Sequence, residues 1–258
     1  MIPVIDQNSL ENMVIYQDDQ LLAINKPAGI LSVPGGYSPN IPDLKGLLEP
    51  IFGNLWIIHR LDKETSGLVL LARSAETHRQ LNIQFDNRII SKEYRAIIYG
   101  VPDWTELSIE KPLQVNGDRN HRTIISAKGK PAFTDLKVLH RFPCFTYLAI
   151  YPHTGLTHQI RAHLAYTAHP ILLDMLYGKG FVLPQDAKLI TRIALHAFQI
   201  QFNHPTSGNL TVLSAPLPPD LRYALDSLPQ IRTHAEEDLN AIYNTVTHQV
   251  LINKTKKH

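Results

Sequence analysis

The apolar residues of this chain come in short runs, and that limits its possible folds more than any other feature. A typical long run, Leu68 to Ala72, spans five residues. Runs of that length bounded by turn residues suit buried strands, and none approaches the ~20 residues that a membrane-crossing helix needs. Val14-Ile15-Tyr16 and Leu21-Leu22-Ala23-Ile24 flank Asp18-Asp19 and predict a hairpin. Lys26-Pro27-Ala28-Gly29 and Pro34-Gly35-Gly36 break the runs that follow. Leu55 to Ile58 and Leu68 to Ala72 predict buried strands around a polar loop. Ser74 to Phe85 predicts a helix, capped by Ser74, with Leu81 and Phe85 on one face. Ile89 to Tyr99 is rich in β-branched and aromatic residues and predicts a long strand. Phe133 to Leu139 and Phe145 to Ile150 predict two more, joined by the turn Phe142-Pro143-Cys144. Thr157 to Thr167 predicts a short helix with Ile160 and Leu164 inward, and Ile193 to Phe202 and Leu210 to Leu213 predict the last strands. Strands outnumber helices and hairpins outnumber βαβ units. The expected class is α+β, with a mixed, largely antiparallel β-sheet flanked by helices and loops.

Composition supports a globular chain: of 258 residues, 44% are apolar and 19% charged. The single cysteine, Cys144, excludes an internal disulfide framework and a cysteine-based zinc site. The start, Met1 to Asp6, shows no basic region before an apolar stretch, so no signal peptide is expected. Together these predict a reducing, cytoplasmic compartment and no membrane partner. Ala215-Pro-Leu-Pro-Pro219 punctuates the chain. Residues 1–215 are expected to form the working domain, and 216–258 a helical extension ending in the basic tail Lys254 to His258.

The formal charge of +2 decides little, but its distribution says more. Residues 111–141 hold seven cations, Lys111, Arg119, Arg122, Lys128, Lys130, Lys137 and Arg141, against Asp118 and Asp135. Such a strip suits phosphates, and equally suits the solvated face of a hairpin. Thirteen histidines invite a metal reading. His158 and His163, however, fall about 140° apart around a helix rather than on one face. No metal and no cofactor are expected; GxGxxG, GxxxxGK[ST] and GxSxG are all absent.

One loop stands out. His59-Arg60-Leu61-Asp62-Lys63-Glu64-Thr65-Ser66-Gly67 packs five ionisable side chains and two hydroxyls between two apolar strands. Loops that carry so much polar chemistry are commonly functional. The plain alternative is an Arg60–Asp62 ion pair with Thr65 and Ser66 closing a turn.

This loop resembles the HRLDxxTSG motif of the RluA-type RNA pseudouridine synthases. Further segments resemble the same family in the same order. Asn25-Lys-Pro-Ala-Gly29 is similar to its NKPxG signature, Lys92-Glu-Tyr94-Arg-Ala96 to its KxYxA strand, and Thr154 to His163 to its TGRxHQIRxH segment. His169-Pro-Ile-Leu-Leu-Asp174 with Tyr177-Gly178 is similar to its HPIxGDxxYG, and Leu195-His-Ala197, His204-Pro205 and Ala215-Pro-Leu217 to its closing pattern. The likeness runs from about residue 12 to 217. It departs at Leu156, where the family usually has Arg, and at Leu173, where it usually has Gly. These departures are expected to touch a phosphate contact and a turn near the RNA. No S4-type domain is expected before Asn25, as in the short members, and Leu31-Ser-Val-Pro34 resembles those that act on both tRNA and rRNA.

The resemblance implies a pseudouridine synthase-like fold and the isomerisation of uridine to pseudouridine in tRNA, large-subunit rRNA or both, with RNA as partner and the chain a monomer. It puts the catalytic aspartate on Asp62, the active-site tyrosine on Tyr94, and on Arg161 the basic residue that pairs with the aspartate. A carboxylate can act as nucleophile or base, and a tyrosine can stack on uracil and offer a hydroxyl. Without the resemblance Tyr94 reads as a strand aromatic. Arg161 is odd in its own right: a cation in the first turn of a helix opposes the dipole, so a nearby carboxylate or phosphate would explain it. Arg60 is expected to fill the space of the flipped base. His59, Thr65, Arg119, Arg122, Lys128, Lys130 and His158 complete the expected RNA-binding set. Two rival readings are a catalytically inactive RNA-binding relative and a histidine-based metal hydrolase.

Overall fold

The structure is a computed structural model that describes residues 10–34, 43–181 and 189–228. The elements in chain order are β1 (Val14–Gln17), β2 (Leu21–Lys26), α1 (Leu44–Phe52), β3 (Trp56–Ile57), β4 (Ser66–Ala72), α2 (Ala75–Asp86) and β5 (Ser91–Tyr99). Then come β6 (Glu106–Glu110), β7 (Leu113–Gln114), β8 (Ile124–Ile125), β9 (Phe133–Arg141) and β10 (Phe145–Pro152). The last are α3 (Gln159–Tyr166), β11 (Leu195–Asn203), β12 (Leu210–Ser214) and α4 (Pro219–Ser227). The class is α+β with a mixed, largely antiparallel sheet, as expected. The described residues form two compact units, one within 1–94 and 196–218, the other within 95–195 and 219–258.

In the first unit the strands run β1-β2-β4-β11, with β3 also on β4 and β12 on β11. All pairings are antiparallel except β11 on β4, where His196 and Ala197 lie beside Ser66 and Gly67. All seven residues of β4 are buried, which is why its sequence reads as a continuous apolar run. Its two faces serve two cores. Leu22, Ile24, Val69 and Leu71 pack with Leu44 and Leu48 of α1. Leu21, Ala23, Leu68 and Leu70 pack with Leu81 of α2. Each leucine, isoleucine or valine among them contributes about 1.5–3 kcal/mol on burial.

In the second unit β10-β9-β6 form an antiparallel set, and β7 and β8 form a separate two-stranded hairpin. The expected turn at 142–144 closes as Phe142 donates its N–H to the Phe145 carbonyl at 2.8 Å. Helix α4 is held by a two-pronged contact from Arg192 Nε and Nη2 to Asp220, at 2.8 and 3.0 Å. The remainder of the expected helical extension, from 229, lies outside the described residues.

Most expected elements appear, with shifted ends. The cap of α2 is as expected: the Ser74 hydroxyl accepts from Thr77 N–H at 3.1 Å. Helix α3 starts at Gln159 rather than Thr157, because His158 sits in the left-handed region at φ +55°. Helix α1 is not evident from the apolar pattern. It carries Pro50 inside its last turn and Gly46 in its first, and is capped by Asp43, which accepts from Gly46 N–H at 3.0 Å. Strands β6, β7 and β8 are likewise additions to the expected set; the first is largely exposed and the others are two residues long.

Candidate active site

The loop between β3 and β4 is held from below by the segment that follows β2. Lys26 is fully buried, and its ammonium donates to the carbonyls of Pro27 at 3.0 Å, Ile30 at 2.8 Å and Lys63 at 3.2 Å. A buried charge needs such partners. Gly29, at φ +91°, donates its N–H to the same Lys63 carbonyl at 2.8 Å. The Ser32 hydroxyl takes the Leu61 amide and carbonyl, both at 3.0 Å. The backbone on either side of Asp62 is therefore anchored to one short stretch, Lys26 to Ser32. The Thr65 amide closes the turn on the Asp62 carbonyl at 3.1 Å. Beyond it, the Ser66 hydroxyl lies 3.0 Å from His196 Nδ1, whose Nε2 donates to the Ala215 carbonyl at 3.2 Å.

This accounts for much of the polar chemistry in the loop. Thr65, expected to touch RNA, is only 2% exposed. His59, expected to do the same, accepts the Leu70 N–H at Nε2, 3.1 Å away, and stacks obliquely on Phe85. Burial, and then the positive charge of Lys92, push its pKa down to about 3. A neutral ring with Nε2 as acceptor carries its proton on Nδ1. His59 thus ties the loop to β4. Arg60 is exposed and makes no ion pair among the described residues, so the plain reading of an Arg60–Asp62 pair is not what the loop is for.

Asp62 and Tyr94 come together in the first unit. Tyr94, near the middle of β5, packs on the core cluster that contains Leu61, Ile24 and Ala197. Burial, and then the charge of Asp62, raise its phenol well above the ordinary value. At neutral pH Tyr94 is a protonated hydroxyl that can donate but not a phenolate that can abstract. Asp62 itself is half-buried.

Arg161 belongs to the second unit, and a carboxylate explains its odd position in α3. Its Nε and Nη2 each donate to Asp174 at 2.8 Å, in a bidentate fork. The guanidinium also lies over the Tyr177 ring, 5.1 Å from its centre. Asp174 is 2% exposed and further accepts the amides of Leu176 and Tyr177, each at 3.1 Å. Sequence reasoning assigns no role to Asp174. The unexplained cation in a helix first turn is the signal that calls for it.

Two other residues of α3 face the opposite way. Gln159 donates to the Phe133 carbonyl and Thr134 hydroxyl, both at 2.9 Å, and accepts from Leu156 and Thr154. His163 donates through Nε2 to the Lys111 carbonyl at 3.0 Å, with Nδ1 2.8 Å from the Thr134 hydroxyl. His158 instead sits 3.2 Å from the Tyr177 hydroxyl, so the two histidines diverge as their spacing requires.

The basic strip divides. Arg122 is bound to Asp118, Nε to carboxylate at 2.6 Å, and Lys137 pairs with Glu106 at 3.1 Å. Arg141 donates to the carbonyls of Pro102 and Trp104, and Lys111 lies over Tyr166. Arg119, Lys128 and Lys130 are exposed on or beside the β7–β8 hairpin. Leu156 packs with Leu113, Ile125 and Tyr177, beneath that hairpin. Leu173 takes a left-handed backbone at φ +56°, a conformation that glycine adopts at lower cost.

Residues 20–166 match the RNA pseudouridylate synthase family. The chain belongs to that family of RNA-modifying isomerases. It is similar to the ribosomal large subunit pseudouridine synthase C of Buchnera aphidicola, at 36% identity over 233 residues, covering 88% of this chain and 74% of that one. It is also similar to synthase D of Haemophilus ducreyi, at 33% over 239 residues, covering 88% and 73%. Among solved structures, the human RNA pseudouridylate synthase domain containing 4 aligns with a TM-score of 0.70 and 25% identity, over 86% of this chain and 94% of that one. Within the family these likenesses make the chain an RNA pseudouridine synthase of the RluA type.

Proposed function

We propose that this enzyme converts a specific uridine of large-subunit ribosomal RNA to pseudouridine, with Asp62 as the catalytic carboxylate. The observation that carries this reading is a backbone-anchored Asp62 set close to the Tyr94 phenol, which burial first and the Asp62 charge second hold well above its ordinary pKa. The names of the similar synthases C and D support the rRNA target.

The chemistry needs no net oxidation. The C1′–N1 bond breaks, the base turns, and a C1′–C5 bond forms. The C5 hydrogen leaves to water and N1 takes up a proton. Asp62 supplies the nucleophile or base at the sugar or the uracil. Tyr94 stacks on the base and donates a hydrogen bond, Arg60 fills the vacated space, and Arg161, oriented by Asp174, holds negative charge. Arg119, Lys128, Lys130 and His158 hold the RNA backbone, and Arg122 shapes the loop that presents Arg119. Residues 1–215 carry all of these roles, with the segment from 216 an extension braced through Asp220. The enzyme works as a monomer, and its single cysteine, Cys144, buried and in no disulfide, suits a reducing, cytoplasmic compartment.

The test is tritium release from RNA labelled at uracil C5, with large-subunit rRNA and tRNA compared and Asp62→Asn beside the parent enzyme. Release from rRNA that stops in Asp62→Asn is the expected result. Release from tRNA alone overturns the rRNA target, and unchanged release by Asp62→Asn overturns the role of Asp62.

A further inference from the structure

The backbone groups next to Asp62 are held in two different ways. On the Lys63 side the carbonyl is taken by a main-chain amide, Gly29 N–H, and by the Lys26 ammonium. On the Leu61 side the amide and the carbonyl are both taken by one side-chain atom, the Ser32 oxygen, at 3.0 Å each. Ser32 is 3% exposed and Leu61 6%. A hydroxyl is suited to this double task because it offers one donor and two acceptor positions on a single atom. An alanine there would leave a buried N–H and a buried C=O without partners.

We propose that Ser32 is a positioning residue for the isomerisation, acting through Leu61 to set the direction in which the Asp62 carboxylate leaves the backbone. The assignment rests on Asp62 being the catalytic carboxylate. The peptide between Leu61 and Asp62 includes the carbonyl that Ser32 holds. Its rotation swings the carboxylate bodily, whereas the far side of Asp62 keeps two anchors of its own. Loss of the hydroxyl therefore redirects Asp62 without dismantling the loop. Ser32 touches no part of the substrate in this scheme, so binding and turnover should separate.

The experiment compares Ser32→Ala and Ser32→Thr with the parent and with Asp62→Asn. It reads single-turnover tritium release from C5-labelled rRNA, RNA Kd by filter binding, and thermal melting by circular dichroism. Ser32→Ala is expected to slow turnover about tenfold or more, in line with the cost of a small misplacement of a reacting group, while Kd stays within about twofold. Ser32→Thr, which keeps the hydroxyl, is expected to recover most of the rate. Parent-like turnover by Ser32→Ala, a loss of affinity equal to the loss of rate, or a threonine variant as slow as the alanine one would each overturn the assignment. If Ser32→Ala gives no folded protein, Ser32→Cys, of nearly the same volume and weaker hydrogen bonding, is judged by the same criterion. Asp62→Asn separates the two readings. If it stays active, the catalytic reading of Asp62 fails and the Ser32 assignment with it. If it is silent while Ser32→Ala is not slowed, only the Ser32 assignment fails.

Discussion

At Gly67 the backbone sits at φ +116°, and an added β-carbon would run into the carbonyl and amide of Ala197 on the neighbouring strand. The glycine that ends the polar loop is there because β11 presses against it in parallel register. Gly67→Ala should lose at least ~3 kcal/mol, or fail to fold, since neither backbone can yield; urea unfolding or soluble yield measures it. His59 makes a different prediction. Its folded pKa of about 3 lies below the ordinary value near 6.5, so the unfolded chain takes up the proton first. The contribution of His59 is whole above about pH 6.5 and is lost as pH falls from there toward 3. Urea midpoints from pH 7 to 4 should fall less steeply in His59→Gln than in the parent. A parent-like slope in that variant would mean another group controls the acid side.

Helix α3 shows how one short element serves two purposes. Gln159 and His163 fasten it to β9 and to the Lys111 carbonyl, while Arg161 reaches Asp174. The Arg161 side chain is 14% exposed and that of Asp174 is 0%. Removing one partner strands the other, so Asp174→Ala should cost about 3–5 kcal/mol. The double change to Arg161→Met and Asp174→Leu should cost clearly less than the sum of the singles, and a double-mutant cycle on unfolding free energy reads the difference. The same element marks where reading residues in order succeeds and fails. Its apolar pair Ile160 and Leu164, and the divergence of His158 from His163, follow from helical spacing. The start at Gln159 depends on the left-handed His158, which spacing does not reveal. The apolar strands β2 and β4 are plain because both faces are buried. Helix α1 is hidden by Pro50, and β6 to β8 by their brevity or exposure. Asp62 and Tyr94 stand out through the resemblance. The burial of Thr65 and the use of His59 as an acceptor depend on neighbours such as Leu70, distant in chain order.

For the molecule as a whole, RNA binding should be a matter of a few unspent charges rather than of the full basic strip. Arg122, Lys137, Arg141 and Lys111 already have partners in the fold, whereas Arg119, Lys128 and Lys130 are exposed. Changing those three to glutamine should lower the slope of log Kd against log salt by about 0.7 for each phosphate that is no longer neutralised, hence by about 2 in all. Lys137→Gln should leave that slope unchanged. Filter binding across a salt series checks both, and an unaltered slope in the triple variant would move the RNA-binding face to another surface.

The sealed ammonium of Lys26 gives the enzyme a built-in chemical clock. An exposed lysine amine reacts readily with acylating reagents, but this one is fully buried and donates to the carbonyls of Pro27, Ile30 and Lys63. Acylation at Lys26 can proceed only during moments when that seal is broken. The mass gained at this one side chain therefore times how often the segment bearing Asp62 comes loose, and a bound RNA that quiets the loop should slow the clock.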